Sequence, residues 1–415
     1  MNPRVSLQPE VLRRLNADVE LRRTQQSQDG PVRPEVSPIY PSSVYTFDDL
    51  DAIQAYYEHD HTSAAYVYRR NGHPNERPVE DYIAALEGAE AAVLCSSGMA
   101  AIAQTCFALL HPGDHVIATK HLYGGTYAFF EQTLRQWGVD ISYVDLNDTL
   151  TLHKALRPET RMVYAETIAN PLLQVCALPD VAAFARRHGL QLVVDNTFAT
   201  PLLVRPIEHG ATLSLHSLTK FLNGHSDVIG GAVTGDRDTV EKVRRFSVTF
   251  GGTLSPFDAW LTERGLQTFA LRFSKQCETA HFLANVLASQ AAVRTVYYPG
   301  REEDPNHAIA NHVFHGGYGA MVSFDLHGGY DAANALVRNL STIHLAPSLG
   351  GLHTTLSHPA LTSHRAYSQT EREELGITDG LLRLSVGCEE YEQLESELTR
   401  AFEPLNATVG QQRSH

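Results

Sequence analysis

From about residue 90 onward, short apolar runs alternate with longer segments of helical periodicity. The runs typical of buried strands cover residues 91–95, 116–119, 141–146, 162–165, 190–194 and 213–215. Helices are predicted between them, for example over residues 100–110 and 181–188, and Gly189 follows the latter as a stop signal. Strands that alternate with helices indicate βαβ units, so we predict an α/β fold with a mostly parallel central sheet.

The two ends of the chain differ from this central region. Prolines at positions 31, 34, 38 and 41 disfavour a continuous helix, and we expect an extended N-terminal arm over residues 1–65. Past Gly251, a long helical stretch over residues 256–287 is followed by further strands and helices. We therefore predict a large α/β domain over residues 66–255 and a smaller C-terminal α+β domain over residues 256–415.

Composition narrows the classes of partner. The 415 residues include 33 Lys and Arg against 47 Asp and Glu, and a net charge of −14 argues against nucleic acid or an anionic membrane as partner. The five cysteines include no Cys-x-x-Cys pair, which is typical of reduced cytosolic thiols and indicates no metal site. No stretch approaches the roughly 20 apolar residues of a membrane helix. We expect a soluble, cytoplasmic protein that binds a small molecule or another protein.

Polar residues follow the predicted strands at the edge where parallel sheets bind their ligands. The first strand runs into Ser96, Ser97, Gly98 and Met99 and then into a helix. Backbone N–H groups at such a helix N-terminus, with Gly98 allowing close approach, form a cradle for phosphate, although the same pattern is typical of an ordinary helix cap. Another strand ends at Asp195, which is either a surface or capping carboxylate or the partner of a cationic ring nitrogen.

A lysine follows the next strand. Lys220 comes directly after Ser217 and Thr219, whose hydroxyls are suited to a phosphate. A lone lysine is usually solvated, whereas an amine in a desolvated pocket is a Schiff-base nucleophile. A phosphate cradle, a carboxylate for a ring nitrogen and a strand-end lysine, in this order on successive strands, together predict pyridoxal 5'-phosphate (PLP) as the cofactor.

These residues resemble the Cys/Met-metabolism family of PLP-dependent enzymes, which includes cystathionine γ-synthase, cystathionine γ- and β-lyases, methionine γ-lyase and O-acetylhomoserine sulfhydrylase. The similarity runs from about Tyr66 to Glu389. Its most specific blocks are residues 170–173, 194–201, 216–231, 348–351, 358–360 and 383–387. The resemblance implies the PLP-dependent transferase fold (aspartate aminotransferase-like, fold type I), with PLP bound by the large domain.

The resemblance implies catalytic roles for two residues. Lys220 would carry the cofactor as a Schiff base and move protons among the substrate carbons, and Tyr123 would stack on the ring and assist the leaving group. The alternative for Tyr123 is an ordinary buried aromatic. Further cofactor contacts are implied for Gly98, Met99, Asn170, Asp195, Thr197, Ser217 and Thr219, with Glu166 beside Asn170 near the phenolic oxygen.

Substrate and subunit contacts are implied in the same way. Arg383 would hold the substrate carboxylate in a bidentate fork, and Ser348 would add a second contact. Tyr68 and Arg70 match the family's Tyr-x-Arg element, which reaches the phosphate of the neighbouring subunit; a match shifted by one residue would put Arg69 in place of Arg70. We therefore expect a homotetramer whose active sites are shared across each dimer.

The implied function is transsulfuration-type β- or γ-elimination, or γ-replacement, on a sulfur amino acid or an O-acyl homoserine. Thiol transfer of the O-acetylhomoserine sulfhydrylase type is the alternative, followed by an aminotransferase and a non-catalytic PLP-binding protein. Gly125 stands where methionine γ-lyases commonly carry cysteine, and His353 stands where cystathionine-handling members often carry glutamate. The sequence leaves open the preferred substrate and the choice between elimination and replacement.

Overall fold

The computed structural model describes residues 34–58, 66–365 and 367–413. The remaining parts of the predicted N-terminal arm, residues 1–33 and 59–65, lie outside the described residues. Within the arm, helix α1 (Leu50–Glu58) contradicts the expectation of extended structure. The helix forms because it lies beyond the prolines, and because the Asp49 carboxylate accepts a hydrogen bond from the Ala52 amide in its first turn (2.8 Å).

A seven-stranded sheet forms the first layer of the fold. Its strands are β1 (Ala91–Cys95), β2 (His115–Thr119), β3 (Asp140–Val144), β4 (Thr160–Glu166), β5 (Gln191–Asp195), β6 (Leu213–Ser217) and β7 (Gly231–Gly235), in the order β1-β7-β6-β5-β4-β2-β3. Only β7 runs antiparallel to its neighbours. No helix connects β6 to β7, and β7 returns beside β6 in the opposite direction. The prediction of a mostly parallel sheet is confirmed.

Helices cover both faces of this sheet. They are α2 (Glu76–Glu87), α3 (Gly98–Leu109), α4 (Gly124–Phe129), α5 (Thr149–Ala155), α6 (Leu178–Arg187), α7 (Thr200–Leu203), α8 (Pro206–His209) and α9 (Arg237–Phe250). Neighbouring strand residues such as Val193 and Val194 point to opposite faces, so Val193 lies in one core and Val194 in the other. Burial on both sides explains why the predicted strands are continuous apolar runs.

A second, five-stranded sheet lies in the C-terminal part. Its strands are β8 (Val293–Tyr297), β9 (Met321–Leu326), β10 (His344–Leu345), β11 (Thr355–Ser357) and β12 (Leu381–Ser385), in the order β10-β11-β12-β9-β8. Its helices are α10 (Pro256–Leu266), α11 (Phe269–Ala288), α12 (His307–Val313), α13 (Gly329–Asn339), α14 (Gln369–Glu374) and α15 (Tyr391–Arg413). The long helical stretch predicted over residues 256–287 is thus two helices. The domain boundary at residue 255 stays a prediction.

One buried carboxylate ties the ends of β5 and β6 together from behind the sheet. Glu87, at the end of α2, accepts hydrogen bonds from Asn196 (3.0 Å), Ser214 (2.9 Å) and His216 (2.5 Å). The side chains of Glu87 and His216 are fully buried. Buried polar groups of this kind fix the relative position of the elements that carry them. Among the described helices, none is both long and apolar enough to span a bilayer.

Candidate active site

The site forms where the carboxyl ends of β4, β5 and β6 meet the second sheet. Glu166 ends β4 and pairs in register with Asp195, which ends β5, and Ser217 ends β6. Ser348 and Arg383 reach the same place from the C-terminal part. Residues separated by more than 200 positions are therefore held together by the packing of the two sheets.

Lys220 is presented as a partly buried amine. Its Nζ donates a hydrogen bond to the Ser348 hydroxyl at 3.1 Å. Burial, and then the nearby positive charge of Arg383, lower the pKa of Lys220 to about 8. At pH 7 about a tenth of the amine is therefore unprotonated, far more than of an ordinary lysine, and the unprotonated form is the one that a nucleophilic lysine requires.

Asp195 is a buried carboxylate that forms no salt bridge with any residue that the structure describes. The Thr197 amide donates to it at 3.0 Å, and Thr197 Oγ1 accepts from the Ser217 amide at 2.9 Å, so Thr197 links the ends of β5 and β6. Burial raises the pKa of Asp195, and its contacts with Thr197 and the charge of His216 oppose that rise. Burial and the charge of Asp195 also raise the pKa of Glu166 well above its usual value. In the described part of the chain, neither carboxylate forms a salt bridge, so a bound cation would stabilise the ionised forms of Asp195 and Glu166.

The predicted phosphate cradle lies beside the end of β6. The Ser97 hydroxyl accepts from the Ala100 amide at 3.0 Å and caps α3, which leaves the amides of Gly98 and Met99 in the first turn. A Cβ on Gly98 would lie 2.9 Å from the Ser217 Cβ, so only glycine fits this close approach. The Thr219 hydroxyl accepts from the Gly230 amide at 3.1 Å, which orients it.

Arg383 occupies a central strand of the second sheet, where β12 pairs with both β9 and β11. Its guanidinium is buried, and its Nη1 donates to the side-chain carbonyl of Asn170. Its Nε is buried and has no hydrogen-bond partner among the described residues. Burial lowers the pKa of Arg383 to about 10, and the group remains cationic near neutral pH. A buried guanidinium with unused donors is suited to a carboxylate ligand.

Tyr123 stands at the start of α4 with its side chain 43% exposed, which contradicts the alternative of an ordinary buried aromatic. Its amide donates to the Glu166 carboxylate at 2.6 Å, so the backbone is fixed while the ring stays accessible. A Cβ on Gly125 would lie 2.5 Å from Tyr123 Cε1 and 3.1 Å from Met99 Sδ. Glycine at position 125 therefore makes room for the ring.

Two groups of predicted residues lie apart from this cluster. Tyr68 and Arg70 are exposed, and the Arg70 guanidinium lies 5.5 Å from the centre of the Tyr68 ring. No hydrogen bond or ion pair joins them to the cradle within the described part of one chain. The His353 side chain is 86% exposed, and its Nδ1 lies 4.0 Å from the Glu389 carboxylate.

The residues present fit PLP. Asp195, which forms no salt bridge in the described part of the chain, would accept the cationic ring nitrogen, the first turn of α3 offers amides to the phosphate, and Lys220 offers an amine. A model of the family described as Cys/Met metabolism PLP-dependent enzymes matches residues 19–403. The chain belongs to this family. The predicted family, fold class, cofactor and enzymatic nature are confirmed.

Curated members of the Cys/Met metabolism family are similar over most of the chain. The L-methionine gamma-lyase of Fusobacterium nucleatum is 40% identical over 371 residues, which are 89% of this chain and 93% of that enzyme. The cystathionine beta-lyase of Bacillus subtilis is 41% identical over 342 residues, or 82% of this chain and 87% of that enzyme. Both are lyases of sulfur amino acids, in agreement with the predicted class of reaction.

Solved structures of this family show the same fold. A cystathionine gamma synthase from Xanthomonas oryzae pv. oryzae, in complex with cystathionine, superposes with a TM-score of 0.88 at 37% identity and covers 95% of this chain and 98% of that chain. A cystathionine gamma-lyase from Lactobacillus plantarum, complexed with L-serine, gives a TM-score of 0.82 at 37% identity, over 88% of this chain and 92% of that one. Amino acids are therefore ligands of the related enzymes.

Sequence reasoning missed two buried charged residues that support the site, Glu87 and Arg272. Glu87 lies behind β5 and β6, and Arg272 contacts the turn that follows Lys220. Such residues can be recognised in a sequence as charged residues on the apolar face of a predicted helix. Arg272, for example, lies on the same helix face as Phe269 and Phe273. Fully buried charges are rare unless they are paired.

The lowered pKa of Lys220 predicts how cofactor attachment depends on pH. Because the free amine reacts, the rate of covalent attachment of PLP to the apoenzyme should rise about tenfold per pH unit at low pH. The rate should level off near the pKa of about 8, well below the ordinary lysine value of 10.5. Borohydride trapping at a series of pH values measures this rate. A midpoint close to 10.5, or a trapped adduct in Lys220→Ala, would contradict the assignment.

Removing the Arg383 guanidinium should weaken use of the substrate selectively. Arg383→Ala should lower kcat/KM by at least about tenfold, since a charged bidentate hydrogen bond contributes roughly 1.5 to 3 kcal/mol. Steady-state kinetics measure this loss, and Arg294→Ala is the control because Arg294 is half-exposed and pairs with Asp325 on the second sheet. An unchanged kcat/KM in Arg383→Ala would remove Arg383 from the carboxylate role.

Proposed function

We propose that this enzyme eliminates a thiol from the β or γ carbon of a sulfur amino acid. The observation that carries the proposal is the Arg383 guanidinium, which is buried with a free Nε and whose charge acts on Lys220. A guanidinium next to a reactive amine is suited to an α-amino acid. The carboxylate of the amino acid would bind the guanidinium, and its amino group would replace the amino group of the lysine on the cofactor.

Each residue of the site has a distinct task in this proposal. Arg383 and Ser348 hold the substrate carboxylate, with Asn170 fixing the guanidinium from behind. Asp195 keeps a proton on the ring nitrogen, and PLP, when bound, supplies an electron sink for a carbanion at the substrate α carbon. The Lys220 amine then removes the α proton as a general base, which its pKa of about 8 allows near neutral pH.

Tyr123 is proposed to assist departure of the thiol. Its ring is accessible, and its backbone is anchored to the Glu166 carboxylate at 2.6 Å. Lys220 would thus move the protons at the substrate carbons, which are the α proton in β-elimination and the α and β protons in γ-elimination, and Tyr123 would give a proton to the departing sulfur.

The substrate's distal group is proposed to be uncharged, as in methionine. A distal ammonium like that of cystathionine would meet no carboxylate at position 353, where His353 is exposed. The neighbouring Glu389 carboxylate is occupied, since it accepts from both the amide (2.6 Å) and the hydroxyl (2.8 Å) of Thr354. Replacement on an O-acyl homoserine is the second candidate, and the similarity to a cystathionine gamma synthase favours it.

A substrate panel tests the reaction. Methionine, cysteine, cystathionine and O-acyl homoserines are supplied with and without an added thiol, and keto acid, ammonia and thioether products are measured. We expect keto acid and ammonia without added thiol, and a higher kcat/KM for methionine than for cystathionine. Products formed only with a thiol would favour replacement, and a requirement for a keto-acid acceptor would indicate an aminotransferase.

We also propose a homotetramer in which each active site is completed by a neighbouring subunit. Tyr68 and Arg70 are exposed and have no partner in the cradle of their own chain, and a basic residue is suited to a phosphate. The same N-terminal region exposes several large apolar side chains, which is typical of a surface that another chain covers. They are Val36, Ile39, Val44, Leu50, Ile53 and Tyr57.

Mixing of subunits tests the shared site. Arg70→Ala and Lys220→Ala should each be inactive. When equal amounts of the two variants are dissociated and reassociated, about half of the dimers should be hybrids with one of their two sites intact, so the mixture should recover roughly a quarter of the wild-type activity. Activity after reassociation is the measurement. A mixture of Lys220→Ala with Arg383→Ala is the control, since both residues belong to the same chain's site. Equal recovery in both mixtures, or none in either, would contradict the proposal.

The cytoplasm is the proposed location. All five cysteines are free, and four of them, Cys95, Cys106, Cys176 and Cys277, are buried. Burial raises the pKa of both Cys106 and Cys176 to about 12, so their thiols stay protonated and unreactive. A protein without disulfides is suited to a reducing compartment.

A further inference from the structure

A buried arginine outside the substrate pocket contacts the turn that follows Lys220. Arg272 lies on α11 and is 7% exposed. Its Nη1 donates to the Phe221 carbonyl at 3.0 Å, and its Nη2 donates to the carbonyls of Leu222 at 3.1 Å and Asn223 at 3.2 Å. The guanidinium therefore forms hydrogen bonds with the backbone carbonyls of the three residues directly after Lys220.

The guanidinium is itself held in place. Nη2 also donates to the Gly265 carbonyl at 2.9 Å, and Nε donates to the Thr268 hydroxyl at 3.1 Å. A Cβ on Gly224 would lie 1.6 Å from Arg272 Nη1, so the turn has no side chain where the arginine enters. Burial lowers the pKa of Arg272 to about 10, and its hydrogen bonds to carbonyls offset the cost of burying the charge.

The other side of the same turn contacts the loop that carries Ser348. A Cβ on Gly350 would lie 2.6 Å from the Phe221 amide nitrogen and 2.9 Å from the Lys220 carbonyl carbon. The Gly350 amide donates to the Ser385 hydroxyl at 2.9 Å, which anchors the loop to β12. The peptide between Lys220 and Phe221 is therefore confined between Arg272 and this loop.

We propose that Arg272 is a positioning residue for Lys220. By fixing the three carbonyls after Lys220, its planar fork sets the place from which the amine reaches the cofactor and the substrate α carbon. Lysine cannot replace it, because an ammonium cannot span three carbonyls in one plane. The inference rests on the proposed role of Lys220 and extends it to a residue that touches neither substrate nor cofactor.

The test compares variants of Arg272 in the holoenzyme and in its cofactor-depleted form. Arg272→Lys should slow covalent attachment of PLP, followed by borohydride trapping, by at least about tenfold, since a misplacement of about 1 Å can cost a hundredfold in rate. It should lower kcat by a similar factor and leave KM within about threefold, because Arg383 is untouched. Lys275→Gln is the matched control on the same helix, where Lys275 is partly exposed and pairs with Glu390.

The outcomes separate a positioning role from a structural one. A lower melting temperature with wild-type attachment rate and kcat, or a raised KM with unchanged kcat, would overturn the proposal. If Arg272→Lys does not fold, Thr268→Val keeps the guanidinium and removes its hydrogen bond from Nε, together with the hydrogen bond from the Thr268 hydroxyl to the Gly265 carbonyl. A wild-type attachment rate in that folded variant would equally overturn the proposal. Attachment needs no substrate, so a wild-type enzyme that attaches PLP but eliminates no thiol would refute the proposed function alone.

Discussion

The site depends on charged groups that are held away from water and form no salt bridge among the described residues. Glu166 and Asp195 end adjacent strands and repel one another, while Lys220 and Arg383 repel one another across the cleft. An unpaired charge is costly in a protein interior, and the group's pKa shifts until the charge is met or lost. PLP and an amino acid together carry the complementary charges. Binding of both would therefore stabilise these charged groups.

Rigid neighbours keep this arrangement from collapsing. Asp195, Ser217 and Thr197 are linked through backbone amides at the strand ends, and Glu87 fixes the same strand ends from the far face. Arg383 lies on a strand with a partner on each side. Like charges can be held close together only where the backbone cannot move apart, and both sheets provide that restraint.

The features predictable from sequence were those encoded locally. The strands were predicted from continuous apolar runs. Gly98, Asp195 and Lys220 were predicted as site residues because they follow such runs, and the carboxyl ends of parallel strands lie at the same edge of a sheet. Contacts between distant segments were not predictable from pattern. Arg383 reaches Asn170 across 213 positions, and Arg272 reaches a turn about 50 residues earlier, through the packing of helices on sheets. Helix α1 was not predicted because the nearby prolines indicated extended structure and the helix-capping signal at Asp49 was not considered.

The close fit between Gly125 and the Tyr123 ring bears on how the tyrosine can be oriented. A side chain at position 125 and the ring, as it lies here, compete for the same volume. A cysteine in place of Gly125 would therefore require the Tyr123 ring to turn aside, and the ring is exposed enough to do so. The identity of residue 125 is thus a steric control on the direction in which the Tyr123 hydroxyl points.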